Sequence, residues 1–128
     1  MGGDAIRTSG PGGVAAVWIE HMHLTGAGGW GVNETIPAPP YPQSNLQINN
    51  NVIEGNVAGA VNIDNAQAST ISGNYFENIN GSTATLVRIS SAGAPRGIEI
   101  KHNVFGGKSA DYLISLLSGS GTTGEISN

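Results

Sequence analysis

Cysteine is absent from this 128-residue chain, so neither a disulfide framework nor a thiolate metal site can form. Charge is scarce: Asp, Glu, Lys and Arg make up 11% of residues, against about a quarter in an ordinary soluble domain. The net charge of −4 contains no basic run, which removes the electrostatic footprint of nucleic-acid binding. No apolar stretch approaches the length of a membrane span, and no charged n-region leads into an apolar core after Met1. Sustained 3.6-residue periodicity is also missing, and no helix start signal precedes an apolar run. What fills the space is turn chemistry, with 20 glycines and frequent asparagines.

Those turn residues recur on a period. Four segments align without gaps: "VWIEHMHLTG" from Val17, "LQINNNVIEG" from Leu46, "STISGNYFEN" from Ser69 and "IEIKHNVFGG" from Ile98. Their shared form is apolar-x-apolar-x-x-Asn-x-apolar. The central isoleucines Ile19, Ile48, Ile71 and Ile100, with Ile126 in the closing "EISN", are spaced by 29, 23, 29 and 26 residues. A second set falls between them, centred on Ile6, Val32, Ile63, Ile89 and Leu116, with period-two alternation that reads as strand. The longest loop, "NETIPAPPYPQSN", has Pro37, Pro39, Pro40 and Pro42, which forbid ladder pairing and force an excursion between repeats.

A unit with two or three short strands cannot bury its apolar face alone, but it can when stacked on its neighbours. Equivalent strands then pair in parallel about 4.8 Å apart, and like residues form columns. Three inward columns are expected: Val17/Leu46/Ser69/Ile98, Ile19/Ile48/Ile71/Ile100 and Leu24/Ile53/Phe76/Phe105. The expectation is one all-β domain over 1–128, a solenoid of about five coils, with the Pro-rich stretch 36–44 as an excursion. The chain stops in mid-repeat at "EISN", which reads as a fragment of a longer helix or a chain packing against others.

The repeats "LQINNNVIEGN", "STISGNYFEN" and "IEIKHNVFGG" resemble coils of a right-handed parallel β-helix of the pectin-lyase-like kind. "ISGNYFEN" is similar to coils of phage tailspike proteins and capsule-degrading depolymerases. The resemblance covers nearly the whole chain and rests on the residues that build coils. It implies an extracellular, cell-surface or virion protein that binds, eliminates or hydrolyses acidic polysaccharide along an exposed sheet. By the same resemblance a homotrimer is expected, and calcium is a possible cofactor, although no ligand set stands out. The Asn-Thr-Asp, Asp-Asp and Gly-His-Gly series of polygalacturonases are absent, as is the aspartate cluster of pectate lyases.

Asn51, Asn74 and Asn103 share a column that Met22 interrupts in the first coil. They read as a structural corner ladder, because Asn tolerates left-handed backbone and stacks its amide on the copy above. His21 and His102 also share a column. They stand three coils, roughly 14 Å, apart, so one metal cannot join them, and both read as surface residues.

The outward residues line the face a polysaccharide would cross. On the first strand these are Trp18/Gln47/Thr70/Glu99 and Glu20/Asn49/Ser72/Lys101. Trp18 offers a stacking surface for a sugar ring, or else packs under the Pro-rich excursion. Trp18, Glu20, Asn62 and Lys101 are the candidate substrate-binding residues.

On the second strand the outward columns read Gly31/Asn62/Arg88/Ser115 and Arg7/Asn33/Asp64/Ser90. Asp64 and Arg88 are the candidate catalytic residues, expected on adjacent coils, diagonally placed. A base beside a cation suits elimination from a uronic acid, and the bland alternative is a surface ion pair. For hydrolysis, Asp64, Glu77, Glu54 and Glu20 supply carboxylates, but the alignment sets no pair across one groove. The sequons at Asn33-Glu34-Thr35 and Asn80-Gly81-Ser82 matter only in a eukaryotic source.

Overall fold

A computed structural model describes residues 2–9, 16–35, 45–78, 85–90, 95–107, 113–117 and 123–127. The Pro-rich stretch 36–44 and the sequon at Asn80 lie outside the described residues. Every described element is a strand: β1 (Ile6–Thr8), β2 (Ala16–Glu20), β3 (His23–Thr25), β4 (Trp30–Glu34), β5 (Asn45–Asn49), β6 (Val52–Glu54), β7 (Gly59–Ile63), β8 (Thr70–Ser72), β9 (Tyr75–Asn78), β10 (Val87–Ile89), β11 (Arg96–Lys101), β12 (Val104–Gly107), β13 (Ile114–Leu116) and β14 (Thr123–Ser127). They form three all-parallel sheets: sheet 1 is β2-β5-β8-β11-β14, sheet 2 is β3-β6-β9-β12, and sheet 3 is β1-β4-β7-β10-β13. Each coil visits sheets 1, 2 and 3 in turn, which makes a parallel β-solenoid. The coils are fewer than the expected five, since β1 and β14 stand as single strands at the two ends.

The inward columns of sheets 1 and 2 are those the repeat predicts. Ile19, Ile48, Ile71, Ile100 and Ile126 are successive register partners, as are Leu24, Ile53, Phe76 and Phe105. Ile48, Ile71, Ile53 and Phe76 are fully buried, and Phe76 stacks tilted on Phe105 at 5.4 Å between ring centroids. Burying one such side chain contributes about 1.5–3 kcal/mol.

Sheet 3 corrects the expected register. Val32 pairs with Val61, not with Ile63, and the column runs Ile6/Val32/Val61/Val87/Ile114. Ile63 and Ile89 instead lie in line with Glu34 and Thr8. The slip has a physical origin. Val61-x-Ile63 and Val87-x-Ile89 both point inward, so alternation alone offers two centres, and the second was the wrong one to match to Val32. The start of β7 is irregular as well: the N–H groups of Ala60 and Val61 both donate to the Leu86 carbonyl, and both side chains are buried. Gly31, expected outward, faces inward, because a Cβ there would meet Ile53 and the Ala60 carbonyl.

The corner between sheets 1 and 2 is held by asparagine, in a way that also amends the expectation. The left-handed residue is not the ladder Asn but the one before it: His21 (φ 56°), Asn50 (56°), Gly73 (66°) and His102 (52°). This leaves Asn51, Asn74 and Asn103 free to point inward. The Asn74 side-chain oxygen accepts from the Asn51 backbone and side-chain N–H, both at 3.0 Å, and its amide donates to the Ile48 carbonyl at 2.8 Å. Asn103 repeats the pattern on Asn74 and Ile71. Asn51 repeats it on the Met22 N–H and the Ile19 carbonyl. Each asparagine therefore reaches back one coil, and Met22 holds the equivalent place in the first of the described corners.

Asn74→Ala leaves buried donors on Asn51 and the Ile48 carbonyl without partners. The expected cost is about 1–3 kcal/mol per unsatisfied group, read as a lower urea midpoint, with Asn51→Ala similar and Asn103→Ala smaller.

Candidate functional site

The six residues singled out from the sequence do not converge. Trp18 and Glu20 lie on β2 and Lys101 on β11, all on sheet 1, whereas Asn62 and Arg88 lie on sheet 3, on β7 and β10, with Asp64 just beyond β7. Trp18 is 66% exposed on the first strand of its sheet. Glu20 accepts a hydrogen bond from Asn49 at 3.2 Å. Lys101 is tied to Glu99 on its own strand at 2.8 Å. Three strand spacings, roughly 14 Å, separate the first of these strands from the last.

Asn62 and Arg88 belong to a continuous polar ladder along sheet 3. Arg7, Asn33, Asn62, Arg88 and Ser115 are register partners, which replaces the two outward columns expected for this strand. Arg88 Nε donates to Asn62 Oδ1 at 2.7 Å, Asn62 Nδ2 to Asn33 Oδ1 at 2.8 Å, and Asn33 Nδ2 to Asp4 Oδ2 at 2.8 Å. The Arg88 guanidinium also lies over the Trp30 ring, 5.0 Å from its centroid, and that ring covers the open Cα of Gly59. Asn62 is only 1% exposed as a result.

Asp64 and Arg88 form no ion pair. Asn62 stands between them, accepting from Arg88 with its oxygen and donating to Asp64 Oδ1 at 3.1 Å with its nitrogen. The expected diagonal placement depended on the slipped register. The backbone N–H of Asp64 is held by Glu34, whose fully buried carboxylate accepts from Asp64 and Asn65 at 2.8 and 2.7 Å. Nothing in an alternating pattern announces an inward Glu, since its role is to cap backbone donors at a corner.

Sheet 2 holds a cluster that the column reading of the other two strands passes over. Glu54 and Glu77 are direct register partners on β6 and β9, about 4.8 Å apart in the strand-to-strand direction. His23 Nε2 lies 2.7 Å from Glu54 Oε1, and the Tyr75 hydroxyl donates to Glu77 Oε2 at 3.0 Å. The gapless alignment already sets Glu54 over Glu77 in its ninth position, so the signal was present. Val52, Tyr75 and Val104 form the neighbouring column on the same face, with both valines exposed. Parallel pairing of two identical repeat positions is what brings the carboxylates together.

Among the described residues no group of three or more His, Asp and Glu could hold a metal ion, and no helix is long and apolar enough to cross a membrane. His21 and His102 are exposed in the left-handed corner positions. Asn33 of the first sequon is buried, with both amide atoms engaged. These features define the molecule as a parallel β-solenoid whose three outer faces differ in chemistry. No family model matches the chain, and neither a curated protein nor a solved structure matches it.

The Tyr75 hydroxyl is raised above its ordinary value of 10.0, first by its hydrogen bond to Glu77, then by partial burial, then by the negative charge of Glu77 and Glu54. The folded state therefore holds this proton more tightly than the unfolded chain. Its stabilising contribution is present below the unfolded value and fades as pH rises through the folded one. Titration of phenolate absorbance should place Tyr75 above an ordinary tyrosine, and Glu77→Gln should bring it back down.

Proposed function

We propose that this chain is a polysaccharide-active parallel β-helix acting outside the cell or on a virion, and that it cleaves glycosidic bonds by hydrolysis at Glu54 and Glu77. The carrying observation is that these two carboxylates face each other on adjacent strands of one outer sheet, each with its own hydrogen-bonding partner. Neighbouring-strand spacing favours the short carboxyl separation of retaining hydrolysis, about 5–5.5 Å. In this reading Glu77, held by the Tyr75 hydroxyl, attacks the anomeric carbon. Glu54 gives its proton to the departing oxygen, and His23 holds Glu54 in place. Water then releases the sugar, with Glu54 taking the proton back.

Elimination is the weaker alternative, because the amide of Asn62 separates the base Asp64 from the cation Arg88. The resemblance of the repeats to pectin-lyase-like and tailspike coils supports the substrate class, and a homotrimer goes with it. A non-catalytic carbohydrate-binding or structural scaffold is the second reading. The ladder from Asp4 through Asn33 and Asn62 to Arg88 favours it, since those groups are engaged with one another.

Incubation with a panel of polysaccharides should release reducing ends without unsaturated product. Glu54→Gln and Glu77→Gln should each lower that rate by about 10²–10⁴-fold with the fold intact. Unsaturated ends would overturn hydrolysis. Binding with no product from any polysaccharide would establish the scaffold reading.

A further inference from the structure

The row of sheet 2 that carries the two carboxylates runs Thr25, Glu54, Glu77, Gly106 in successive register. Where β6 and β9 place a Glu, β12 places a glycine, and the backbone does not ask for one. Gly106 lies outside the left-handed region, unlike Gly107 at φ 86°. What the missing side chain leaves is room, and Tyr75 takes it. A Cβ on Gly106 would stand 2.7 Å from Tyr75 Oη, 3.2 Å from Cζ and 3.4 Å from Cε2. The register partner of Tyr75 on β12 is Val104, so its side chain crosses one strand and runs two residues along it to reach this place. From there its hydroxyl donates to Glu77 Oε2 at 3.0 Å. His23 makes the matching move on the other side, passing its register partner Val52 to reach Glu54. Two carboxylates on identical repeat positions are thereby made unlike: one meets an imidazole, the other a phenol.

We propose that the vacancy at Gly106 and the phenol that fills it form a positioning pair for Glu77, holding Oε2 and leaving Oε1 to the sugar. The proposal rests on the hydrolytic reading of Glu54 and Glu77. Among the described residues no other side chain hydrogen-bonds the Glu77 carboxylate. The last torsion of a Glu is broad and roughly two-fold, so one fixed donor on Oε2 decides which oxygen attacks. Oε1 then bonds to the anomeric carbon as the glycosidic C–O bond breaks and Glu54 gives its proton to the departing oxygen. Tyr75 keeps its own proton through both displacements, in keeping with a hydroxyl that its bond to Glu77 raises above the ordinary 10.0. The plainer role for an aromatic beside a sheet glycine is to cover backbone, and that role needs the ring but not the hydroxyl.

The test is kinetics and phenolate titration on the full chain, with Gly106→Ala, Tyr75→Phe and the double variant. The added methyl meets the far end of the Tyr75 side chain, so Gly106→Ala should keep the sheet signal and lift the hydroxyl off Glu77. The Tyr75 titration, identified as the step that Tyr75→Phe removes, should then fall toward its ordinary value. On a polysaccharide that the unaltered chain cleaves, each single variant should lower kcat about 10–100-fold with KM little changed, and the double variant no further. Tyr75→Phe keeps the ring over Gly106 and decides the matter by itself if Gly106→Ala loses the sheet signal.

An unmoved Tyr75 titration and kcat in Gly106→Ala, full kcat in Tyr75→Phe, or additive losses in the double variant would each overturn the proposal and leave hydrolysis at Glu54 and Glu77 standing. An unaltered chain that cleaves no polysaccharide overturns the hydrolytic reading and the proposal together.

Discussion

The asparagine ladder from Asn51 to Asn103 is the interaction on which the stack depends. A sharp corner leaves backbone N–H and C=O groups facing inward, where no ladder hydrogen bond can reach them and no water is at hand. Each asparagine answers backbone donor and acceptor groups of the coil before it, while the backbone N–H groups of Asn51 and Asn74 are answered by the coil after. The corner can therefore turn inside the core without an orphaned group. Placing the left-handed strain on the preceding residue is what lets the amide point inward, and the occupant there varies freely between His, Asn and Gly.

Once the corner repeats, parallel pairing does the rest. Every outward position becomes a row of neighbours about 4.8 Å apart, so chemistry is set by which residues recur in adjacent repeats. In sheet 3 that yields amides and an arginine that satisfy one another. In sheet 2 it yields two carboxylates, a histidine and a tyrosine. The same rule limits the site, since residues on different sheets or distant coils, such as Trp18 and Lys101, are not brought together.

Much of the fold was legible because the isoleucine and Phe76/Phe105 columns are spaced by whole repeats, and parallel register follows from that spacing. Sheet 3 was not, because Val61-x-Ile63 offers two inward centres and alternation cannot choose between them. Glu34 and Asn56 were hidden for a related reason. Both are polar residues turned inward to serve corner backbone, Asn56 accepting from the Ala27 N–H and donating to the Leu24 carbonyl. Hydrophobic periodicity is blind to such residues. The candidate site was legible only as the ninth position of the repeat, and charge type alone could not say that Glu54 and Glu77 share an outer face.

The account stands on the claim that the buried asparagine corners, and not the outer polar rows, hold successive coils together. Native-state hydrogen exchange at the Asn51 and Asn74 amides tests it most directly. These two N–H groups should exchange as slowly as the amides of Ile48 and Ile71 in the core, opening only with global unfolding. Exchange at the rate of an exposed turn would contradict it.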